Sequence, residues 1–191
     1  MLADPADQQR LLTLAELDSE IGRLQHTAKK LPQHARIAEL MRNRQAVTDD
    51  LVAVTTRVGD LELSVRRAES DLVPVRTRLD RESKRVGDGS VTDPKVLRGL
   101  TEEVERIKRR IIELEDAELD LMGQLEETTA QRDELATRKK EVEETLRAEV
   151  AVRDAEVSKL STEAKAAAAS RASEAEKVPA PLLALYEKIR T

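Results

Sequence analysis

The chain has 191 residues, of which 37% are charged, and it holds one Tyr, six Gly and no Phe, Trp or Cys. A two-layer globular core normally draws much of its buried area from aromatic side chains, so that route is nearly closed. The missing cysteines exclude a disulfide framework and any thiolate-bound zinc or iron-sulfur site within these residues. The net charge of -5, from 33 basic and 38 acidic residues, gives no overall attraction to nucleic acid or to an anionic membrane, so any such binding must be local.

High charge with few aromatics also describes chains that stay disordered, and periodicity decides between the two readings. Asp4 and Pro5 form a helix start: Asp caps, Pro suits the first helical position, and Asp7 adds negative charge in the first turn. Leu14, Leu17, Ile21, Leu24, Ala28 and Leu31 then recur at spacings of 3 and 4, a heptad seam. Pro32 disfavours helix at Leu31, which predicts a first helix over about 5–31 and a break at 32–36. A second seam runs from Ile37 through Val47, Val58, Leu72 and Leu79 to Val86, interrupted only by Arg44 and Glu82, and predicts a helix over about 33–86. Pro74 lies inside it without shifting the register, so a kink near residues 70–74 is expected.

Residues 87–93 hold two glycines and predict a turn, and Asp93-Pro94 repeats the cap of Asp4-Pro5. A third helix over about 94–178 follows, with Leu100, Val104, Ile107, Ile111 and Leu114 leading its seam. Pro179 and Pro181 end it, and a short helix over about 181–190 closes the chain. The third helix is about as long as the first two together, on the order of 125 Å. Folding the chain at the glycine turn gives an all-α fold: a long, kinked antiparallel coiled-coil hairpin over residues 1–178, with 179–191 a connector and short helix. Seam residues pair across it with numbers totalling 179, as in Leu72 with Ile107 and Leu79 with Leu100. Beyond Pro32 the total becomes 181, as in Leu24 with Val157. The same register sets Arg78 against Glu103, Asp71 against Arg110 and Glu69 against Lys108, and places Glu62 opposite Glu115. A parallel homodimer is the competing arrangement, and it would have to carry the glycine turn in the middle of a rod.

Chemistry is sparse. His26 and His34 straddle Pro32 with no carboxylates set to form a metal site or triad, and they read as surface histidines beside a helix break. Gly87-Asp88-Gly89 is too short for a phosphate-binding loop and follows no strand, and no candidate nucleophile is present. The reading is therefore not an enzyme, with no small-molecule substrate. The strongest charge feature is the hairpin tip, where Arg76, Arg78, Arg81, Lys84 and Arg85 are joined by Lys95 and Arg98, a candidate partner or nucleic-acid contact that lacks aromatics for base stacking. An acidic run, Glu113, Glu115, Asp116, Glu118, Asp120, Glu126 and Glu127, contains no base and is a candidate docking face for a basic partner. Leu63, Val73, Ile112 and Leu119 sit off the seam as a second stripe, which leaves monomer and weak homodimer both open. The acidic N-terminus and the lack of a long apolar run point to a cytoplasmic protein with no membrane association.

Three segments, LLTLAELDSEIGRLQHTAKKLP at 11–32, DPKVLRGLTEEVERIKRRIIELED at 93–116 and LLALYEKIR at 182–190, resemble the bacterial C4-type zinc ribbon coiled-coil family. Members of that family look like a kinked helical hairpin followed by a small zinc ribbon with two CxxC pairs. The resemblance implies a non-enzymatic adaptor or scaffold, regulatory in character. Its relatives bind an alternative sigma factor, secretion or flagellar components and, in some cases, messenger RNA. It further implies that zinc belongs only to a ribbon following Thr191, that nucleic-acid binding resides mainly there, and that no cofactor is held within residues 1–191. The apolar residues Leu182, Leu183, Leu185 and Ile189 fit that expectation, since nothing earlier in the sequence offers them an obvious packing surface. Protein partners, direct nucleic-acid binding by the tip and a purely structural spacer are the three functional readings carried forward.

Overall fold

The computed structural model describes residues 4–190, and it is all-α, with four helices and no strand among the described residues. They are α1 (Pro5–Lys29), α2 (Pro32–Gly87), α3 (Pro94–Ala175) and α4 (Ala180–Arg190). Asp4 caps α1 by accepting the Ala6 amide at 2.9 Å, and Asp93 caps α3 by accepting the Lys95 amide at 2.8 Å.

Several boundaries differ from those read in the sequence, each for a local reason. The break after α1 covers only residues 30 and 31, not 32–36, because Pro32 begins α2 and its missing N–H is one that no first-turn residue needs. The Lys30 amide donates to the carbonyls of His26 and Thr27 at 3.1 Å and closes the end of α1. His34 also serves this end: its Nε2 lies 3.0 Å from the Ala28 carbonyl, so that nitrogen carries the proton and donates to an acceptor the helix leaves unpaired. α3 stops at Ala175 and not at 178, in a turn where the Lys177 and Val178 amides donate to Glu174 and Ala175 carbonyls. α2 continues as helix through Pro74. Both Ser70, whose carbonyl loses its usual donor there, and Pro74 are exposed, so that carbonyl lies on the solvent side of the helix and not against the seam.

The chain divides into two compact units, residues 45–141 and residues 1–44 with 142–191, and α2 and α3 run through both. In the first unit the two helices meet around Leu72, Ile107 and Ile111, with Val75, Leu79 and Leu114 packed against them. Leu72 is 1% exposed, and truncating such a residue to Ala costs about 3 kcal/mol, several times the worth of a surface ion pair. Two polar residues occupy seam positions. Thr128, 3% exposed, donates its hydroxyl to the Gln124 carbonyl at 2.7 Å. Glu82 is held by two arginines, described below.

The register is not the one read from the seam. Arg78 and Glu103 do meet, at 2.5 Å. Arg76, however, reaches Glu115 at 2.7 Å, and the register with Leu72 opposite Ile107 would separate those two by about 18 Å along the axis. The two ion pairs centre on a register about one heptad further along α3, which also brings Leu79 onto the Ile107 and Ile111 cluster. Two of the charges expected to cross the hairpin pair within their own helix instead, Arg110 with Glu113 and Lys108 with Glu105, and Glu62, expected opposite Glu115, pairs with Arg66. An i,i+3 or i,i+4 partner is available without ordering a second helix. The other unit shows the same displacement. Arg171 binds Asp18 at 3.0 Å, although pairing Leu24 with Val157 would leave them about 12 Å out of step.

Between α2 and α3 the chain turns at Gly89, whose φ is +71°, and the Ser90 amide donates to Asp88 Oδ1 at 2.9 Å. A side chain at Gly89 would meet left-handed backbone strain of about 1 kcal/mol. Gly22 is the opposite case, an exposed position inside α1 where an added Cβ meets no atom within 4 Å. Chemical denaturation should therefore show Gly89→Ala less stable by about 1 kcal/mol and Gly22→Ala more stable by roughly 0.5 to 1 kcal/mol. Equal shifts in the same direction would contradict the turn geometry.

Candidate functional site

The seven tip cations are all exposed, yet they are not equivalent. Arg76 and Arg78 are engaged across the hairpin by Glu115 and Glu103. Arg81 and Arg85 converge on Glu82, donating to its two carboxylate oxygens at 3.0 and 2.9 Å. Glu82 occupies a seam position and is only 7% exposed. The Arg81 hydrogen bond, opposed by burial and then reinforced by Arg85, holds its carboxyl below the ordinary glutamate range. Glu103 is lowered likewise, first by the hydrogen bond from Arg106 and further by the charge of Arg78. Lys84, Lys95 and Arg98 have no ion-pair partner among the described residues, so they are the cations that remain available to an incoming anion.

The acidic run divides in the same way. Glu113 and Glu115 are spent on Arg110 and Arg76. Asp116, Asp120, Glu126 and Glu127 are exposed, Glu118 is half-buried at a seam position, and none of these five has an ion-pair partner among the described residues. Neither surface is a catalytic pocket, and no group of three or more His, Asp or Glu among the described residues is arranged to hold a metal ion. No helix among them is long and apolar enough to cross a membrane.

The most highly organised polar cluster escaped the sequence reading. Asp18 of α1 accepts from Arg171 of α3 at 3.0 Å, and from the Tyr186 hydroxyl at 2.9 Å and Arg190 at 2.8 Å, both of α4. Arg171 also binds Glu187 of α4. Three helices are thus tied to one carboxylate, and Leu182 and Leu183 are half-buried. For Leu182 and Leu183 this corrects the expectation that α4 has nothing to pack against, whereas Leu185 and Ile189 stay exposed. Burial acts to raise the Asp18 carboxyl, but hydrogen bonds from Arg171 and Tyr186 with the charges of Arg171 and Arg190 outweigh it and hold the group below its usual value. Tyr186 is pushed up, first by burial and then by its bond to Asp18. No spacing rule connects positions 18, 171 and 186, which is why the seam gave no hint of the cluster.

A cysteine-free chain whose long helices pair antiparallel along an apolar seam is a coiled-coil hairpin domain. The chain belongs to the CT398-like coiled coil hairpin domain family, whose model matches residues 14–191. An uncharacterised protein of Mycobacterium tuberculosis is 38% identical over 132 residues, covering 69% of this chain and 54% of that protein. An uncharacterised protein of Mycobacterium leprae is 33% identical over 109 residues, covering 57% of this chain and 47% of that one. The chain therefore spans about half the length of the curated relatives it matches. A solved structure from Mycobacterium smegmatis is 33% identical, with a TM-score of 0.82 over 100% of this chain and 78% of the other. CT398 from Chlamydia trachomatis shares the fold at 16% identity, with a TM-score of 0.67 over 97% of this chain and 78% of that one.

Tyr186 is the only aromatic residue, so its ionisation reads the cluster directly. Spectrophotometric titration should place its midpoint above the ordinary tyrosine value of about 10, falling toward it in Asp18→Asn, where the repelling carboxylate is gone. For Asp18 the sign runs the other way. Its lowered pKa adds stability above the ordinary carboxyl value of about 4, which is lost as pH falls through the folded value. Asp18→Ala should cost on the order of 2 kcal/mol at neutral pH, and an unchanged tyrosine midpoint would refute the Asp18–Tyr186 contact.

Proposed function

We propose that this chain is a non-enzymatic adaptor or scaffold, a helical hairpin that docks protein partners through its tip and its acidic face. One observation carries the reading. Cations without internal partners, Lys84, Lys95 and Arg98, gather at the turn, while carboxylates without partners, Asp116, Asp120, Glu126 and Glu127, gather along α3. Two surfaces of opposite sign on one hairpin suit two partners, or a partner with two patches of its own. The sequence resemblance supports extending the reading to a regulatory role in the cytoplasm and to nucleic-acid binding through a zinc ribbon following Thr191. Two CxxC pairs in the gene beyond that residue would support the ribbon, and their absence would remove it.

The docking surfaces are tested by affinity capture with the wild-type chain and two charge-reversed forms, Lys84→Glu/Lys95→Glu/Arg98→Glu and Asp116→Lys/Asp120→Lys/Glu126→Lys. The expected result is a bound protein retained by wild type and lost from one reversed form. Identical capture by all three overturns the assignment of both surfaces.

Direct nucleic-acid binding at the tip is a second reading, favoured by the same three cations. If single-stranded RNA binds there, the reversed tip should shallow the dependence of log affinity on log salt by about 2. An unchanged slope, or no binding by wild type, rejects that reading. Arg78, Arg81 and Arg85, the face marked by the sequence, make a poorer target because Glu103 and Glu82 already hold them.

A further inference from the structure

A groove of about 480 Å³ opens between α1 and α3 in the unit formed by residues 1–44 and 142–191. Its floor is apolar, with Ile21, Leu24 and Ala28 from α1 and Val157, Leu160 and Ala164 from α3. It is hollow for a readable reason: Ala28 and Ala164 stand at seam positions that mostly carry Leu, Ile or Val elsewhere, so the floor is underfilled. Lys29 and Lys165 also line it, no carboxylate does, and neither lysine has an ion-pair partner among the described residues. The groove therefore suits an apolar ridge flanked by negative charge. On α1 its lining runs from Ile21 to Lys29, about 12 Å of helix.

The chain carries such a ridge itself. Ile112, Leu119 and Met122 are 56%, 63% and 47% exposed, and their spacings of 7 and 3 put them on one side of α3 over about 15 Å. Asp116 and Glu126 fall on that same side by spacings of four from Ile112 and Met122, and both are exposed without ion-pair partners among the described residues. Length, apolar spacing and charge all match the groove.

We propose that the groove between α1 and α3 receives the Ile112–Leu119–Met122 ridge of a second copy of this chain, with Lys29 and Lys165 facing Asp116 and Glu126. Groove and ridge are different surfaces, so every copy has one of each to offer. The inference uses the acidic face invoked in the adaptor reading but not its role. A monomeric chain would leave that reading standing, and a failed capture would leave this one standing.

The test is sedimentation velocity on the full chain over about 1 to 300 µM, a range bracketing weak association. Wild type should associate, and Lys29→Glu/Lys165→Glu and Asp116→Lys/Glu126→Lys should each weaken self-association at least tenfold. Mixing the two variants should restore it, because the reversed groove of one then fits the reversed ridge of the other. Leu119→Gln, at an exposed position, should weaken association while the far-UV circular dichroism stays helical. A wild-type monomer throughout, variants that associate as wild type does, or a mixture that stays monomeric would each overturn the proposal. A groove filled instead by an acidic helix of another protein would appear as the first of these outcomes.

Discussion

The fold depends on a single thin apolar seam. With no Phe or Trp and one Tyr, burial has to come from aliphatic side chains met two at a time between helices. Leu14 and Leu72 are the most completely buried of them, and most other residues keep one side toward solvent. Such a seam tolerates polar members only when they bring their own partners. Thr128 uses the Gln124 carbonyl of its own helix, and Glu82 uses arginines one residue before and three after it. Long helices, abundant charge and scarce glycine all follow from that one constraint.

Helices, caps and the turn were legible because each rests on a local signal: Asp-Pro at two starts, two glycines at the reversal, and apolar residues every three or four positions. Register was not. A heptad seam looks the same after a shift of seven residues, so Leu72 opposite Ile107 and Leu72 a heptad along are equally apolar. The flanking charges that could have broken the tie mostly pair within one helix, as Lys108 does with Glu105, and say nothing about the partner. Arg76 with Glu115 is the informative pair, and it is too far from the naive register to be guessed.

The tip and the acidic run were legible as charge but not as available charge. Counting lysines and arginines gives seven tip cations of equal standing, and the structure removes four of them through Glu82, Glu103 and Glu115. Lys84, Lys95 and Arg98 have no such partner among the described residues. The Asp18 cluster was illegible for a different reason. Its partners lie 153 to 172 positions away in the chain, and only tertiary packing brings them together.

Those sequence separations have a consequence for how the hairpin assembles. The bond between Arg78 and Glu103 closes a span of 25 positions, whereas Asp18 to Arg171 closes 153. Closing the larger loop from an open chain costs about 1.6 kcal/mol more by the logarithmic dependence on length. Once the helices have joined at the glycine turn, each further layer is brought close by the one before, and that penalty no longer falls on a single step. Loop entropy therefore favours closure outward from Gly89, with the contacts of Asp18 made last.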